Sequence, residues 1–222
     1  MEFRLLIGKI VRSLDQDGVQ STIRRVIVYL RRRRAADDFD VRYGVDTGGI
    51  EPLWKFTIRS PNARFGVRHQ PTSEQDLVDA VNCLDEDPRS YIFIDLGCGK
   101  GRTLLVAAKL GFKQVIGVEF AREFVQIARA NLAKMGVFNG EVIHDDAADY
   151  QFPDSDFVLY LYNPFSHEVM RTVVANLRGS GASKIFVMYY DPQCADLLDS
   201  SGFLSRFGCP PGRNIPIWKA FK

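Results

Sequence analysis

Tyr91-Ile-Phe-Ile-Asp95-Leu-Gly97-Cys98-Gly99-Lys-Gly101, followed almost at once by Thr103-Leu-Leu-Val-Ala-Ala108, is the stretch that decides the fold. An apolar run of strand length enters three glycines at alternate positions and leaves them as a helical run. Glycine tolerates positive φ and carries no side chain to obstruct a ligand. A strand, Gly-rich turn and helix in this order therefore bring bare backbone against a bound molecule at the carboxyl edge of a sheet. The spacing is G-x-G-x-G, whereas nicotinamide dinucleotide sites use G-x-G-x-x-G with the diphosphate at a helix N-terminus. Asp95 stands two residues ahead of the first glycine, where it would repel a diphosphate and attract a cation.

Outward from this loop, apolar runs alternate with helical patterns, as in a mostly parallel sheet covered on both faces. The expected strands are Tyr91–Leu96, Gln114–Glu119, Glu141–His144, Phe157–Tyr162, Lys184–Tyr190, Leu204–Phe207 and Ile215–Phe221. Helices are expected near Arg102–Leu110, Arg122–Met135, His167–Leu177 and Gln193–Ser200. The link from Gly208 to Asn214 is too short for a crossover helix, so the last two strands, if paired, form an antiparallel hairpin. Glu119 ends the second strand, where an acid can accept two hydrogen bonds from ribose hydroxyls.

Upstream, Thr72-Ser-Glu-Gln75 has the form of a capping box opening a helix whose buried stripe is Leu77, Val78, Val81 and Leu84. Residues 37 to 71 are punctuated by Gly, Pro and Asp and read as loops and short turns. Residues 1–34 read as two short amphipathic helices; they hold nine Lys and Arg against Glu2, Asp15 and Asp17, while the rest of the chain is net acidic. Such a basic segment suits an acidic surface such as nucleic acid, a membrane face or the domain itself. The expected division is an N-terminal helical and loop extension over 1–71 and an α/β domain over 72–222.

At 222 residues, with 46% hydrophobic and 25% charged, the chain fits one sizeable domain with an appendage. Cys83, Cys98, Cys194 and Cys209 form no CxxC pair, which speaks against a disulfide framework or a zinc site and suits a reducing, cytoplasmic setting. Arg4, Lys9 and Arg12 interrupt the N-terminal apolar run, so neither a signal peptide nor a membrane span is expected.

Asp95-Leu-Gly97-Cys98-Gly99-Lys-Gly101 resembles the first, glycine-rich motif of class I S-adenosylmethionine-dependent methyltransferases, and the resemblance covers roughly Thr72 to Lys222. It implies a Rossmann-like seven-stranded sheet and S-adenosylmethionine as cofactor, with Asp95, Gly97, Cys98, Gly99 and Gly101 at its amino-acid part and Glu119 at its ribose. His144-Asp-Asp146-Ala resembles the family's acidic motif that contacts the adenine amine, with Asp146 as the contact. Tyr160-Leu-Tyr162-Asn163-Pro164-Phe165 resembles the Asn/Asp-Pro-Pro-aromatic motif of amino-methylating enzymes, with one proline missing. In those enzymes Asn and Pro oxygens accept hydrogen bonds from the target amine and the aromatic ring packs on the substrate. That implies Asn163, Pro164 and Phe165 at the reacting end, with Asn163 also beside the cofactor. Asn163 and Ser166 also read plainly as caps of the following helix.

His69-Gln-Pro71-Thr72 with the glycine loop is similar to the tyrosine-x-Pro-Thr layout of some protein-lysine methyltransferases, with His in the aromatic position. A lysine acceptor has a reference pKa of about 10.4 and would need desolvation, for which Tyr160, Tyr162, Phe165, Tyr189 and Tyr190 offer walls. Tyr43 to Thr47 and Thr72 are expected to help close the cofactor pocket. The favoured acceptor is an amine of a protein or small molecule. The alternatives are a nucleic acid gripped by Arg31 to Arg34, a nicotinamide-dependent oxidoreductase, and a module that binds the cofactor without turnover.

Overall fold

The computed structural model describes residues 38–49, 70–163 and 165–221. A short helix, α1, occupies 38–43, and α2 follows at Glu74–Asn82. The strands are β1 (Ile92–Leu96), β2 (Gln114–Glu119), β3 (Gly140–His144), β4 (Phe157–Tyr162), β5 (Lys184–Tyr190), β6 (Ser205–Gly208) and β7 (Ile217–Phe221). Helices α3 (Arg102–Lys109), α4 (Arg122–Lys134), α5 (His167–Gly179) and α6 (Ala195–Asp199) connect them.

The strands make one seven-stranded sheet in the order β3-β2-β1-β4-β5-β7-β6. The first five are parallel, β7 is antiparallel to both neighbours, and the hairpin carries an irregularity between Arg206 and Gly208. The alternation of side chains along each strand divides the core in two. Phe93, Val115, Val158, Phe186 and Met188 meet α2, α3 and α4 on one face, while Ile94, Val118, Leu159, Val187 and Trp218 meet α5 and α6 on the other. Strand order reverses between β1 and β4. An open α/β sheet has its crevice at such a switch point, outside the carboxyl ends of the strands.

The structure corrects three local expectations. Residues 38–43 are helical rather than loop: Phe39 is buried and its ring lies 4.7 Å from that of Tyr43 one turn later, and Gly44 at φ +65° follows the last helical residue. The capping box at Thr72 does not form. Ser73 is the N-cap of α2 and makes no side-chain cap bond, the Thr72 hydroxyl meets the Tyr160 hydroxyl at 2.8 Å, and Gln75 donates to Asp79. The frame lies one residue later, and Asp76 is drawn inward by Tyr190 and Arg213. Finally, β7 begins after Pro216, two residues beyond Ile215. The expected helices over 1–34 and the aromatic-position His69 lie outside the described residues.

Candidate functional site

Three consecutive strand tips build one end of the crevice. At the tip of β1 the glycines have the conformation that their identity permits: Gly97, Gly99 and Gly101 lie at φ +84°, +53° and +84°. Gly97 is exposed at the crevice, and Gly101 is the N-cap of α3. The loop amides are engaged within the protein. Gly97 and Cys98 both donate to the Val118 carbonyl, Gly101 donates to the Cys98 carbonyl, and Gly99 donates to Glu119 Oε2 at 2.9 Å. These four amides do not form the outward row that cradles a diphosphate. The Cys98 side chain turns inward and packs so close to Gly117 that a Cβ there would sit 2.6 Å from its Sγ.

Glu119, at the tip of β2, is buried, and its other carboxylate oxygen accepts from the Ala121 amide at 2.8 Å. Each oxygen keeps lone pairs beyond these bonds, since an ionised carboxylate has about four acceptor sites. Asp95 is buried on β1 and accepts a hydrogen bond from Thr103. Burial pushes both carboxyls up to about 7, against the pull of the Thr103 hydroxyl on Asp95 and of backbone amides on Glu119; the Glu119 charge raises Asp95 further. Among the described residues neither carboxylate has a cationic partner, so each offers uncompensated negative charge only in its ionised form. At the tip of β3, Asp145 accepts from the Asp146 amide and Asp146 from the Ala148 amide, each at 2.9 Å, which folds the turn over the edge of the crevice.

The other end is built by β4 and β5. Asn163 follows β4 at φ +39°, a left-handed conformation that asparagine tolerates better than most residues. Pro164 lies outside the described residues. Phe165 is half-buried against the α5 and α6 side of the core. Ser166 is the N-cap of α5 but makes no side-chain cap bond, so capping alone does not account for this turn.

A cleft opens beside it, lined by Pro71, Thr72, Asp76, Arg102, Tyr162 and Tyr190. Strand alternation sorts the four tyrosine candidates. Tyr162 and Tyr190 share a face with ring centroids 4.3 Å apart and line the cleft. Tyr160 is buried beneath Thr72, whereas Tyr189 points to the opposite face and, like Phe165, packs in the other half of the core. Tyr190 donates to Asp76 at 2.9 Å, and Arg213, from the β6–β7 link, pairs with Asp76 and Asp79. His144 meets the Phe120 carbonyl and His167 pairs with Asp196, so neither lines the cleft.

The sequence reading missed the partners of Lys100 and Arg102. Both are buried beside the glycine loop and both are bonded to the segment 38–49. The available signal was an alternation of Asp40 and Asp46 with Thr47 ahead of a loop carrying two cations, and only the fold brings them together. Among the described residues no group of three or more His, Cys, Asp or Glu side chains could hold a metal ion, and no helix is long and apolar enough to cross a membrane.

Comparison with known proteins agrees with this geometry. Residues 93–180 match the model of a methyltransferase domain. A ribosomal protein L11 methyltransferase of Hamiltonella defensa is 34% identical over 88 residues, which are 39% of this chain and 28% of that protein. Its Thermotoga neapolitana counterpart is 32% identical over 78 residues, 35% of this chain and 28% of that one. The matched stretch thus spans less than a third of the length of these curated relatives. Among solved structures, the Escherichia coli protein yhhF, described as a methyltransferase, superposes with a TM-score of 0.59 at 14% identity, covering 68% of this chain and 89% of that one. Magnesium protoporphyrin IX methyltransferase from Synechocystis PCC 6803, solved with bound S-adenosylmethionine, gives 0.51 at 17% identity, covering 67% and 79%. At these identities the likeness is one of fold.

Proposed function

We propose that the chain carries a class I S-adenosylmethionine-dependent methyltransferase domain and transfers a methyl group to an amine nitrogen of a protein or small molecule; the match of residues 93–180 to a methyltransferase domain and the shared fold support this reading. The observation that supports this most is the pair of buried carboxylates, Asp95 and Glu119, which have no cationic partner among the described residues and lie beside the bare backbone of Gly97. Its donor set fits S-adenosylmethionine, which brings an ammonium, a sulfonium and a ribose. Asp95 and Gly97 would hold the amino-acid part, Glu119 the ribose and Asp146 the adenine amine, with the Cys98, Gly99 and Gly101 backbone shaping the floor. When bound, the cofactor supplies an electrophilic methyl group.

What remains for the protein is to present a lone pair in line with that methyl at about 3–3.5 Å and to exclude water. Asn163, with Pro164, would accept hydrogen bonds from the target nitrogen and orient it; Phe165, expected to pack on the substrate, instead packs against the α5 and α6 side of the core and would brace the turn that carries them. A protonated amine has no lone pair to offer. Enclosure by Tyr162 and Tyr190 would lower its pKa by desolvation. The ribosomal protein L11 methyltransferases among the relatives favour a protein acceptor.

Calorimetry tests the cofactor: the wild-type chain is expected to bind S-adenosylmethionine saturably, Gly99→Arg to abolish binding and Glu119→Ala to weaken it strongly. A wild-type chain that shows no binding overturns the proposal. Labelled cofactor incubated with a host lysate, then separated into protein, nucleic-acid and small-molecule fractions, tests the acceptor. Label confined to nucleic acid would replace the amine reading with the nucleic-acid one.

A further inference from the structure

Residues 38–49 reach the glycine loop from more than fifty positions upstream and outside the matched stretch, and they are tied to it by two sets of bonds. In the first, Asp40 accepts from the Thr47 amide at 3.1 and 3.0 Å, from the Thr47 hydroxyl and from the Gly48 amide at 2.6 Å, which closes the segment into a compact turn. Arg102, the first residue of α3, donates through Nε to the Thr47 hydroxyl at 2.6 Å and through Nη2 to Asp40 at 3.1 Å. Its guanidinium also stands over the Phe39 ring at 4.8 Å. In the second set, Lys100 Nζ donates to Asp46 Oδ1 at 2.8 Å and to the Gly48 carbonyl at 3.1 Å. Asn131, on α4, completes it. Its amide nitrogen donates to the Asp46 carbonyl at 2.7 Å and to the Lys100 carbonyl at 2.9 Å, while its oxygen accepts from the Asp46 amide at 3.1 Å.

Lys100 and Arg102 bracket Gly101, and both are less than a tenth exposed. Buried cations are tolerated only when paired and hydrogen-bonded, so their burial in this place depends on the upstream segment. Three glycines at positive φ make a loop with many accessible alternatives and a large entropy to lose on ordering. A loop pinned beforehand loses less when its ligand arrives.

We propose that residues 38–49 are a positioning element of the cofactor site: through Lys100, Arg102 and Asn131 they hold the Gly97–Gly101 loop in its ligand-ready shape. The inference rests on the assignment of that loop to S-adenosylmethionine. Coupling of this kind is reciprocal, so the cofactor must stabilise the docked segment as much as the docked segment favours the cofactor. A merely structural contact carries no such obligation.

The test uses the full chain and two variants. Asp40→Asn removes the charge that faces Arg102. Gly48→Ala removes no charge, but its Cβ would sit 2.8 Å from Asp40 Oδ2, so the carboxylate that ties Thr47 and Gly48 to Arg102 must shift. Hydrogen exchange read by mass spectrometry is expected to slow over residues 45–49 when S-adenosylmethionine is added to the wild-type protein. Calorimetry is expected to show weaker binding by about tenfold in both variants, while exchange over β4 and β5 stays as in the wild type. Wild-type binding with no added protection of 45–49, or variants binding within twofold of wild type, would overturn the positioning role alone. A wild-type protein that fails to bind the cofactor would overturn the functional assignment as well.

Discussion

Acidification from about pH 8 to about pH 6 is expected to weaken S-adenosylmethionine binding by roughly a hundredfold, through two side chains. Asp95 and Glu119 are buried at adjacent strand tips, and each carboxyl is pushed up to about 7. A group of that pKa is roughly nine-tenths ionised at the upper pH and roughly one-tenth at the lower. If binding requires both ionised forms, Asp95 to face the ammonium and Glu119 to accept from the ribose hydroxyls, each carboxyl costs about tenfold in affinity, or ~1.4 kcal/mol. The stability of the free protein runs the other way. Because folding raises both pKa values, the folded state keeps protons that the unfolded chain has already released. The favourable contribution of these groups is complete below the ordinary carboxylate range and is lost as the pH rises through about 7. Lower pH should therefore steady the free fold while loosening the ligand. Titration calorimetry across this window, repeated in buffers of different ionisation enthalpy, would give both the dissociation constant and the protons released on binding. Asp95→Asn and Glu119→Gln should each remove about one decade of the pH dependence. A dissociation constant that is flat across the window, or tighter on the acid side, would refute the reasoning.

Three substitutions extend the test to neighbouring parts of the site. Gly101→Val, at φ +84° with its Cβ 3.1 Å from the Ala128 methyl, is expected to lower stability by about 1–3 kcal/mol, read as a lower denaturant midpoint. Asn163→Gly keeps the left-handed turn and deletes only the amide, so cofactor affinity should stay near wild type while methyl transfer falls by at least tenfold in a single-turnover assay. Tyr190→Phe removes the donor to buried Asp76, which keeps Arg213; thermal unfolding should report a loss of about 1 kcal/mol with cofactor affinity unchanged.

Much of the parallel half of the sheet was legible from residue order alone, since β1, β2, β4 and β5 are largely apolar runs ended or followed by a glycine, an acid or an asparagine. The edges of β2, β4 and β5 are those expected from sequence. The glycine loop was legible because G-x-G-x-G has few conformational uses, and all three glycines take positive φ. What escaped was long-range. Thr72 seemed a helix cap because local spacing cannot reveal that Tyr160, 88 positions away, competes for its hydroxyl. Tyr189 and Tyr190 looked equivalent as pocket walls, but the pleat sends neighbours to opposite faces. The helix at 38–43 was hidden because its aromatic pair has too few turns to show a period, and its anchors, Glu74, Arg102 and Lys109, lie far downstream.

The reversal of strand order between β1 and β4 has a corollary for the choice of acceptor. Loops leaving β1, β2 and β3 fall on one bank of the crevice, and those leaving β4, β5 and the terminal hairpin fall on the other. The stretch shared with the methyltransferase domain closes at residue 180, before Tyr190 and Arg213. The part of the far bank that lies beyond that stretch stands apart from the tips of β1, β2 and β3, so a change of methyl recipient made there would leave the cofactor bank undisturbed.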